Sequence, residues 1–119
     1  MSKLKQLPKS ERPRERLKSF GVQGLSNIEL LAIILNTGTG ELSVLDLARE
    51  LLLTLERPSS LLKITLEELM QIKGIGLAKA AVLIASLELY KRLYQDLNKK
   101  KSAIRDASDV YYLFESDLN

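Results

Sequence analysis

Residues 65–90, TLEELMQIKGIGLAKAAVLIASLELY, decide the fold of this chain. Thr65 and Glu68 have the T-x-x-E spacing of a capping box, so a helix is predicted to begin there. Residues 77–89 are apolar on almost every side of a second, longer helix, which predicts that this helix is buried on most sides. The stretch therefore predicts a short helix, a tight turn and a long helix.

Two glycines, Gly74 and Gly76, separate the predicted helices and flank Ile75. This spacing suits a turn that needs a positive φ angle or close backbone approach, and Ile75 can anchor the turn in the core. The first N–H groups of the following helix have no intrahelical acceptor and lie at the positive end of its dipole. A phosphate oxygen can approach them past the glycines, which predicts a site that binds one DNA phosphate without reading a base. The predicted phosphate-binding residues are Lys73, Gly74, Ile75, Gly76, Leu77, Ala78 and Lys79.

This pattern resembles the helix-hairpin-helix motif, whose apolar, glycine and small positions fall here on Ile72, Gly74, Ile75, Gly76 and Ala80. In that family the hairpin amides bind DNA phosphates non-specifically, in some cases through a potassium or sodium ion held by backbone carbonyls. The resemblance implies DNA as the partner and a monovalent cation as the candidate cofactor. Two alternatives stay open: the glycines form only a turn within a helical bundle, or a motif of this shape binds protein.

Composition narrows the class of protein. The chain has 119 residues, which fits one domain, and contains no His, Cys or Trp. The commonest general base and the thiolate metal ligands are therefore missing, so we expect no catalytic residues, no zinc site and no enzyme activity. No apolar run reaches transmembrane length and no signal-peptide pattern opens the chain, so we expect a soluble, cytoplasmic protein without a membrane partner.

Positive charge is concentrated at the start of the chain. Residues 1–20 hold seven Lys or Arg and two Glu, a net charge of +5, whereas the remainder carries −2. Such a segment could follow a nucleic-acid backbone, and a solvated terminus is the alternative. We expect a flexible arm over residues 1–11, followed by a short helix from Pro13 to Phe20. The further basic candidates for DNA contact are Arg12, Arg14, Arg16 and Lys18.

A weaker copy of the glycine pattern precedes the first. Ser26 and Glu29 form a capping box before an apolar helix, and Ser43 begins another helix. The loop between these helices supplies the candidates for a second phosphate-binding hairpin, Thr37, Gly38, Thr39 and Gly40. A threonine replaces the apolar anchor, which favours the alternative that this copy only completes the core. The predicted fold is an all-α bundle over residues 12–97, built from a degenerate and a well-formed helix-hairpin-helix.

The pattern loosens towards the end of the chain. Residues 98–103 are polar and basic, which predicts a linker. Residues 104–119 contain apolar positions with little chain left to bury them. We interpret this last segment as the start of a C-terminal domain that is missing here.

The order of segments along the whole chain resembles the N-terminal region of the bacterial RadC family, also called UPF0758. The resemblance is carried by residues 7–8, 12–17, 25–35, 37–38, 43–44, 47–48 and 72–80. In that family a JAB/MPN-type metal domain follows, and its zinc site needs a His-x-His pair that this chain lacks. The resemblance implies a role in DNA repair or recombination, with other DNA-processing proteins as partners. The alternative is a protein-interaction domain that positions the C-terminal metal-dependent domain.

Overall fold

The computed structural model describes residues 12–103, with the side chains of residues 12–99. The α-helices are α1 (Pro13–Phe20), α2 (Asn27–Leu35), α3 (Val44–Leu53), α4 (Leu66–Met70) and α5 (Leu77–Ala103), and 3-10 helices span Val22–Gly24 and Pro58–Lys63. No strand occurs within residues 12–103, which confirms the predicted all-α fold. The predicted arm over residues 1–11 and the segment 104–119 lie outside the described residues.

Side-chain caps begin three helices where the sequence predicts them. The hydroxyls of Ser26, Ser43 and Thr65 each accept the backbone N–H three residues later, at 3.2, 3.1 and 3.1 Å. Glu29 and Glu68 accept the backbone N–H groups of the first and third of these residues, both at 3.0 Å, and complete two capping boxes. Because these N–H groups have no intrahelical acceptor, the caps fix where α2, α3 and α4 begin.

The short helix α1 packs against α2. Pro13 lies at its first position, where no N–H is needed, and Gly21 ends it with a φ angle of 77°. Arg16 Nε and Glu29 Oε2 form an ion pair between the two helices at 2.6 Å. The hydrogen bond from the Ser26 backbone N–H and the neighbouring Arg16 side chain hold the pKa of Glu29 below its ordinary value.

The core lies among α2, α3, α4 and the first turns of α5. Its buried apolar side chains are Leu31, Ala32, Leu35, Val44, Leu47, Ala48, Leu51, Leu69, Ile75, Ala80 and Leu83. Ile75 is only 3% exposed, which confirms the prediction that it anchors the turn between α4 and α5. This turn is therefore attached to the core by a side chain that lies between its two glycines.

The first part of α5 is less buried than its sequence predicts. Leu77 and Val82 are 61% and 50% exposed, while Ala80 and Leu83 are buried. The two buried positions are three residues apart and therefore lie on one face of the helix. The prediction that α5 is buried on most sides is wrong, because the bundle covers this one face and leaves apolar side chains on the others at the surface.

The chain divides into two compact parts within α5. The first part ends at Ile84 and the second begins at Ala85. The predicted domain over residues 12–97 stays a prediction. In the second part α5 continues to Ala103, so residues 98–103, predicted as a linker, have a helical backbone. That the segment links two domains stays a prediction. Within residues 12–103, no helix combines the length and apolar character needed to cross a membrane.

Candidate nucleic-acid interface

The turn at residues 73–76, called here the glycine turn, needs its first glycine for two reasons. Gly74 has a φ angle of 96°, a conformation that other residues rarely adopt. A Cβ atom at this position would lie 2.9 Å from Thr39 Cγ2 and 3.0 Å from Leu47 Cδ1. The glycine turn therefore packs directly against the loop between α2 and α3.

The second glycine has the opposite surroundings. Gly76 is exposed, its φ angle is not positive, and a Cβ atom built on it would meet no atom within 4 Å. Neither strain nor crowding therefore requires glycine here. What the missing side chain does is leave open the space in front of the first N–H groups of α5.

The first backbone hydrogen bond of α5 runs from Ala80 N to Gly76 O at 3.0 Å. The four N–H groups before it, called here the open amides, belong to Gly76, Leu77, Ala78 and Lys79. Among the described residues, none of them donates a hydrogen bond to a backbone or side-chain acceptor. The first three of these residues are exposed, so an anion can reach their N–H groups from solvent.

The start of α5 thus differs from the starts of α2, α3 and α4. In those helices a hydroxyl of Ser26, Ser43 or Thr65 occupies the site where an external acceptor would bind. At α5 the equivalent position is a glycine without any acceptor. The unbonded N–H groups at the start of α5 also lie at the positive end of its helix dipole, which favours negative charge there.

Lys73 supplies the positive charge nearest to the glycine turn. Its Nζ lies 3.2 Å from Glu41 Oε2, and the two side chains are 85% and 76% exposed. An ion pair this exposed contributes little to stability, so Lys73 can exchange Glu41 for a phosphate at small cost. Beside the pair lies a cavity of about 280 Å³, lined by Thr39, Gly40, Glu41, Leu42, Lys73 and Gly74.

Lys79, the other predicted phosphate ligand, faces the protein. Its Nζ donates to Thr37 Oγ1 at 2.7 Å and to the Leu35 carbonyl at 3.3 Å. Leu35 is the last residue of α2, and its carbonyl also accepts the Thr37 N–H at 2.8 Å, so the ammonium group adds a second donor and a positive charge at the negative end of that helix. The structure therefore brings Lys79 to the end of α2 rather than to the open space before α5.

The loop at residues 36–42, called here the first loop, contains the predicted second hairpin. Thr39 Oγ1 accepts the N–H groups of Glu41 and Leu42 at 3.1 and 2.9 Å, and Thr39 donates its own N–H to the Leu42 carbonyl at 2.8 Å. A Cβ atom at Gly38 would lie 2.2 Å from that same carbonyl oxygen. These contacts support the alternative in which this copy completes the core.

The basic candidates in α1 do not form an extended arm. Arg14 Nη2 donates to Asn36 Oδ1, and Arg16 pairs with Glu29. The guanidinium of Arg16 also lies 5.3 Å from the centroid of the Phe20 ring. These two arginines attach α1 to α2. The helix that begins at Pro13 directs both side chains towards α2. The other two candidates are Arg12, which is half-buried, and Lys18, which is exposed.

Two features of the site escape sequence reasoning. The contact from Lys79 to Leu35 spans 44 residues and has no local signature. Asn36 ends α2 with φ and ψ angles of 73° and −55°, and the Thr37 N–H donates to the Leu35 carbonyl across it at 2.8 Å. This is a γ-turn and not the left-handed cap in which asparagine is common, so the sequence gives no signal for it. Among the described residues no group of three or more His, Cys, Asp or Glu is arranged to hold a metal ion.

The fold and the candidate site define a small all-α module in which the helix that follows the glycine turn begins without a side-chain cap. Residues 4–81 match the family model described as UPF0758 N-terminal, and the chain belongs to the UPF0758 family, as its sequence suggested. A UPF0758 protein of Moorella thermoacetica is 54% identical over 115 residues, which cover 97% of this chain and 50% of that protein. The UPF0758 protein YsxA of Bacillus subtilis is 42% identical over 116 residues, covering 98% of this chain and 50% of YsxA.

The chain spans about half the length of the curated relatives it matches, including a UPF0758 protein of Alkaliphilus oremlandii that is 48% identical over 116 residues. No solved structure matches the chain.

Proposed function

We propose that this chain binds DNA without reading its sequence, by holding a backbone phosphate at the start of α5. One observation carries the proposal: the open amides of residues 76–79 have no acceptor among the described residues, and the glycine before α5 supplies none. Backbone N–H groups at a helix start suit a phosphate oxygen because they combine hydrogen bonding with the helix dipole. Phosphate contacts of this kind position a protein on DNA but do not specify a base.

The distribution of charge supports a local contact rather than a broad electrostatic one. Residues 12–84 hold nine Lys or Arg and eight Asp or Glu, a net charge of +1. Within this part of the chain, attraction over long distances is therefore weak, and its binding depends on the few groups that touch the backbone. Lys73 is the exposed cation next to the open amides and adds a second contact to the same phosphate or its neighbour.

The other parts of the proposal follow from the resemblance to helix-hairpin-helix proteins and to the RadC family. They are a monovalent cation held by carbonyls of the glycine turn, a preference for DNA shapes such as gaps or junctions, and a role in repair or recombination with other DNA-processing proteins. A DNA partner in bacteria also implies a cytoplasmic location. Each of these depends on the phosphate contact being real.

Salt dependence tests the phosphate contact. Labelled duplex, gapped and branched DNA are titrated with the chain at several salt concentrations between about 50 and 200 mM. If about two to four phosphates are contacted, log K should fall against log salt with a slope of roughly −2 to −4. A slope near zero would rule out the phosphate mechanism. Differences among the three DNA shapes at one salt concentration report which shape is preferred.

A second candidate function is that of a protein-interaction domain that positions a C-terminal metal-dependent domain. It is favoured by apolar side chains exposed on α5, where Leu77 and Val82 in the first part and Leu89 and Leu93 in the second are at least half exposed. This function predicts no DNA affinity in the parent chain. It also predicts partner binding that survives Gly76→Glu, since that substitution changes only the open amides.

A further inference from the structure

The two lysines that flank the open amides in the sequence have different surroundings. The Lys73 ammonium is at the surface and pairs with the exposed carboxylate of Glu41. The Lys79 side chain is half-buried, and its ammonium donates to Thr37 and Leu35. We infer that Lys79 is a positioning residue, which holds the open amides in place without touching the phosphate. This inference rests on the proposed DNA binding.

The geometry of Lys79 opposes a direct contact with phosphate. A lysine ammonium has three donors, and two of them are used by Thr37 Oγ1 at 2.7 Å and the Leu35 carbonyl at 3.3 Å. Both bonds would break if the side chain turned towards an anion at the start of α5. The Leu35 carbonyl would then keep only the Thr37 N–H, which it accepts at 2.8 Å, and would lose the cation that is favourable at the negative end of α2.

Two attachments hold the start of α5 against the same part of the protein. Before the open amides, Gly74 packs against Thr39 and Leu47. Within the first helical turn of α5, the Lys79 ammonium donates a hydrogen bond to the Thr37 hydroxyl. The open amides lie between these two attachments, so the first loop fixes the direction of these N–H groups. In this role the first loop does not itself contact the phosphate. A binding site that is ordered before its ligand arrives loses less entropy on binding.

A double-mutant cycle separates positioning from direct contact. Lys79→Met, Thr37→Val and the double variant are titrated with labelled duplex DNA over the same salt series as the parent. We expect each single variant to lower affinity by about three- to tenfold at every salt concentration, with an unchanged salt slope. Because both variants break the same bond, the double variant should bind no more weakly than Lys79→Met.

Two variants serve as matched controls. Lys73→Met removes the proposed phosphate contact, so it should make the salt slope shallower by about 1. Thr37→Ser keeps the hydroxyl acceptor for Lys79 and should bind DNA like the parent. Circular dichroism checks that each variant is folded. If Lys79→Met does not fold, Thr37→Val alone still tests the inference, since it leaves every charge in place.

Direct contact by Lys79 would give a different result. Lys79→Met would then make the slope shallower by about 1, and Thr37→Val would leave affinity unchanged or raise it, because the ammonium is released. Either outcome overturns the positioning role, as does unchanged affinity in Lys79→Met. Failure of the proposed function is distinguishable, because the parent chain itself would then show no binding or a slope near zero.

Discussion

The first loop and the glycine turn come from similar stretches of sequence, yet the structure uses their polar groups differently. In the first loop, Thr39 accepts two N–H groups and Ser43 caps the helix that follows. In the glycine turn, Ile75 is buried while the N–H groups from Gly76 onward have no acceptor among the described residues. The first stretch supplies acceptors for its own N–H groups, whereas the second leaves N–H donors available to an external acceptor.

This difference shows why a sequence repeat is a weak guide to a repeated site. Both stretches follow a capping box and contain two glycines, so both predict a hairpin between helices. The decisive residues are Thr39 and Ser43, whose hydroxyls accept N–H groups of the first loop and of the start of α3, and Gly76, which supplies no acceptor. At the start of α3 the Ser43 hydroxyl takes the place that a phosphate would take at the start of α5. The substitutions below test this contrast, beginning with the largest expected effect.

Gly38→Ala should damage the first loop most. The new Cβ would lie 2.2 Å from the Leu42 carbonyl oxygen and 2.7 Å from the Val44 nitrogen, so the backbone itself would have to move. We expect a loss of at least about 3 kcal/mol in the free energy of unfolding, measured by urea denaturation. Gly40→Ala is the control in the same loop. Its Cβ would meet no atom within 4 Å, so a change within about 0.5 kcal/mol is expected. Equal stability of the two variants would contradict the packing described here.

Thr39→Val should have a moderate effect on stability and none on the salt slope of DNA binding. The substitution keeps the shape of the side chain but removes the acceptor for the N–H groups of Glu41 and Leu42. We expect a loss of about 1 kcal/mol in the free energy of unfolding. Thr39→Ser keeps the acceptor and should cost less. The salt slope of DNA binding should stay that of the parent, because the first loop is not proposed to hold a phosphate. A slope shallower by about 1 in a folded variant would show that the first loop also contacts a phosphate.

Much of the fold could be predicted from local sequence. Ser26, Ser43 and Thr65 are hydroxyl residues at cap spacing, and each begins a helix as predicted. Pro13 and Gly21 likewise mark the start and the end of α1. These signals work because capping is decided by atoms within four residues of the chain. The exposure of α5 could not be predicted in this way, because it depends on how many neighbours reach the helix.

The candidate site was predictable in its position but not in the roles of its side chains. Glycine spacing indicated the turn, and the anchoring of Ile75 is confirmed. The direction of Lys79 is decided by its contact with Leu35, 44 residues away, and local periodicity contains no information on such a contact. The arginines of α1 are likewise predicted as candidates for DNA contact, although Arg16 and Glu29 pair across two helices. In each case a distant partner, not the local pattern, decides what the charge does.

The central claim is that the open amides of α5 bind phosphate, and substitutions at Gly76 test it most directly. Gly76→Asp places a carboxylate where Ser26 or Ser43 stands at the other helices, so it can accept the open amides and repel DNA. Because aspartate is a good cap, the free energy of unfolding should stay the same or rise by a few tenths of a kcal/mol. Gly76→Ala is the matched control, since its Cβ enters open space and brings no acceptor.

The measurement is the affinity of Gly76→Asp and Gly76→Ala for labelled duplex DNA at one low salt concentration. The account predicts that the aspartate variant, while folded and at least as stable as the parent, binds at least about tenfold more weakly. The alanine variant should remain within about threefold of the parent. An aspartate variant that binds DNA as tightly as the parent would contradict the account.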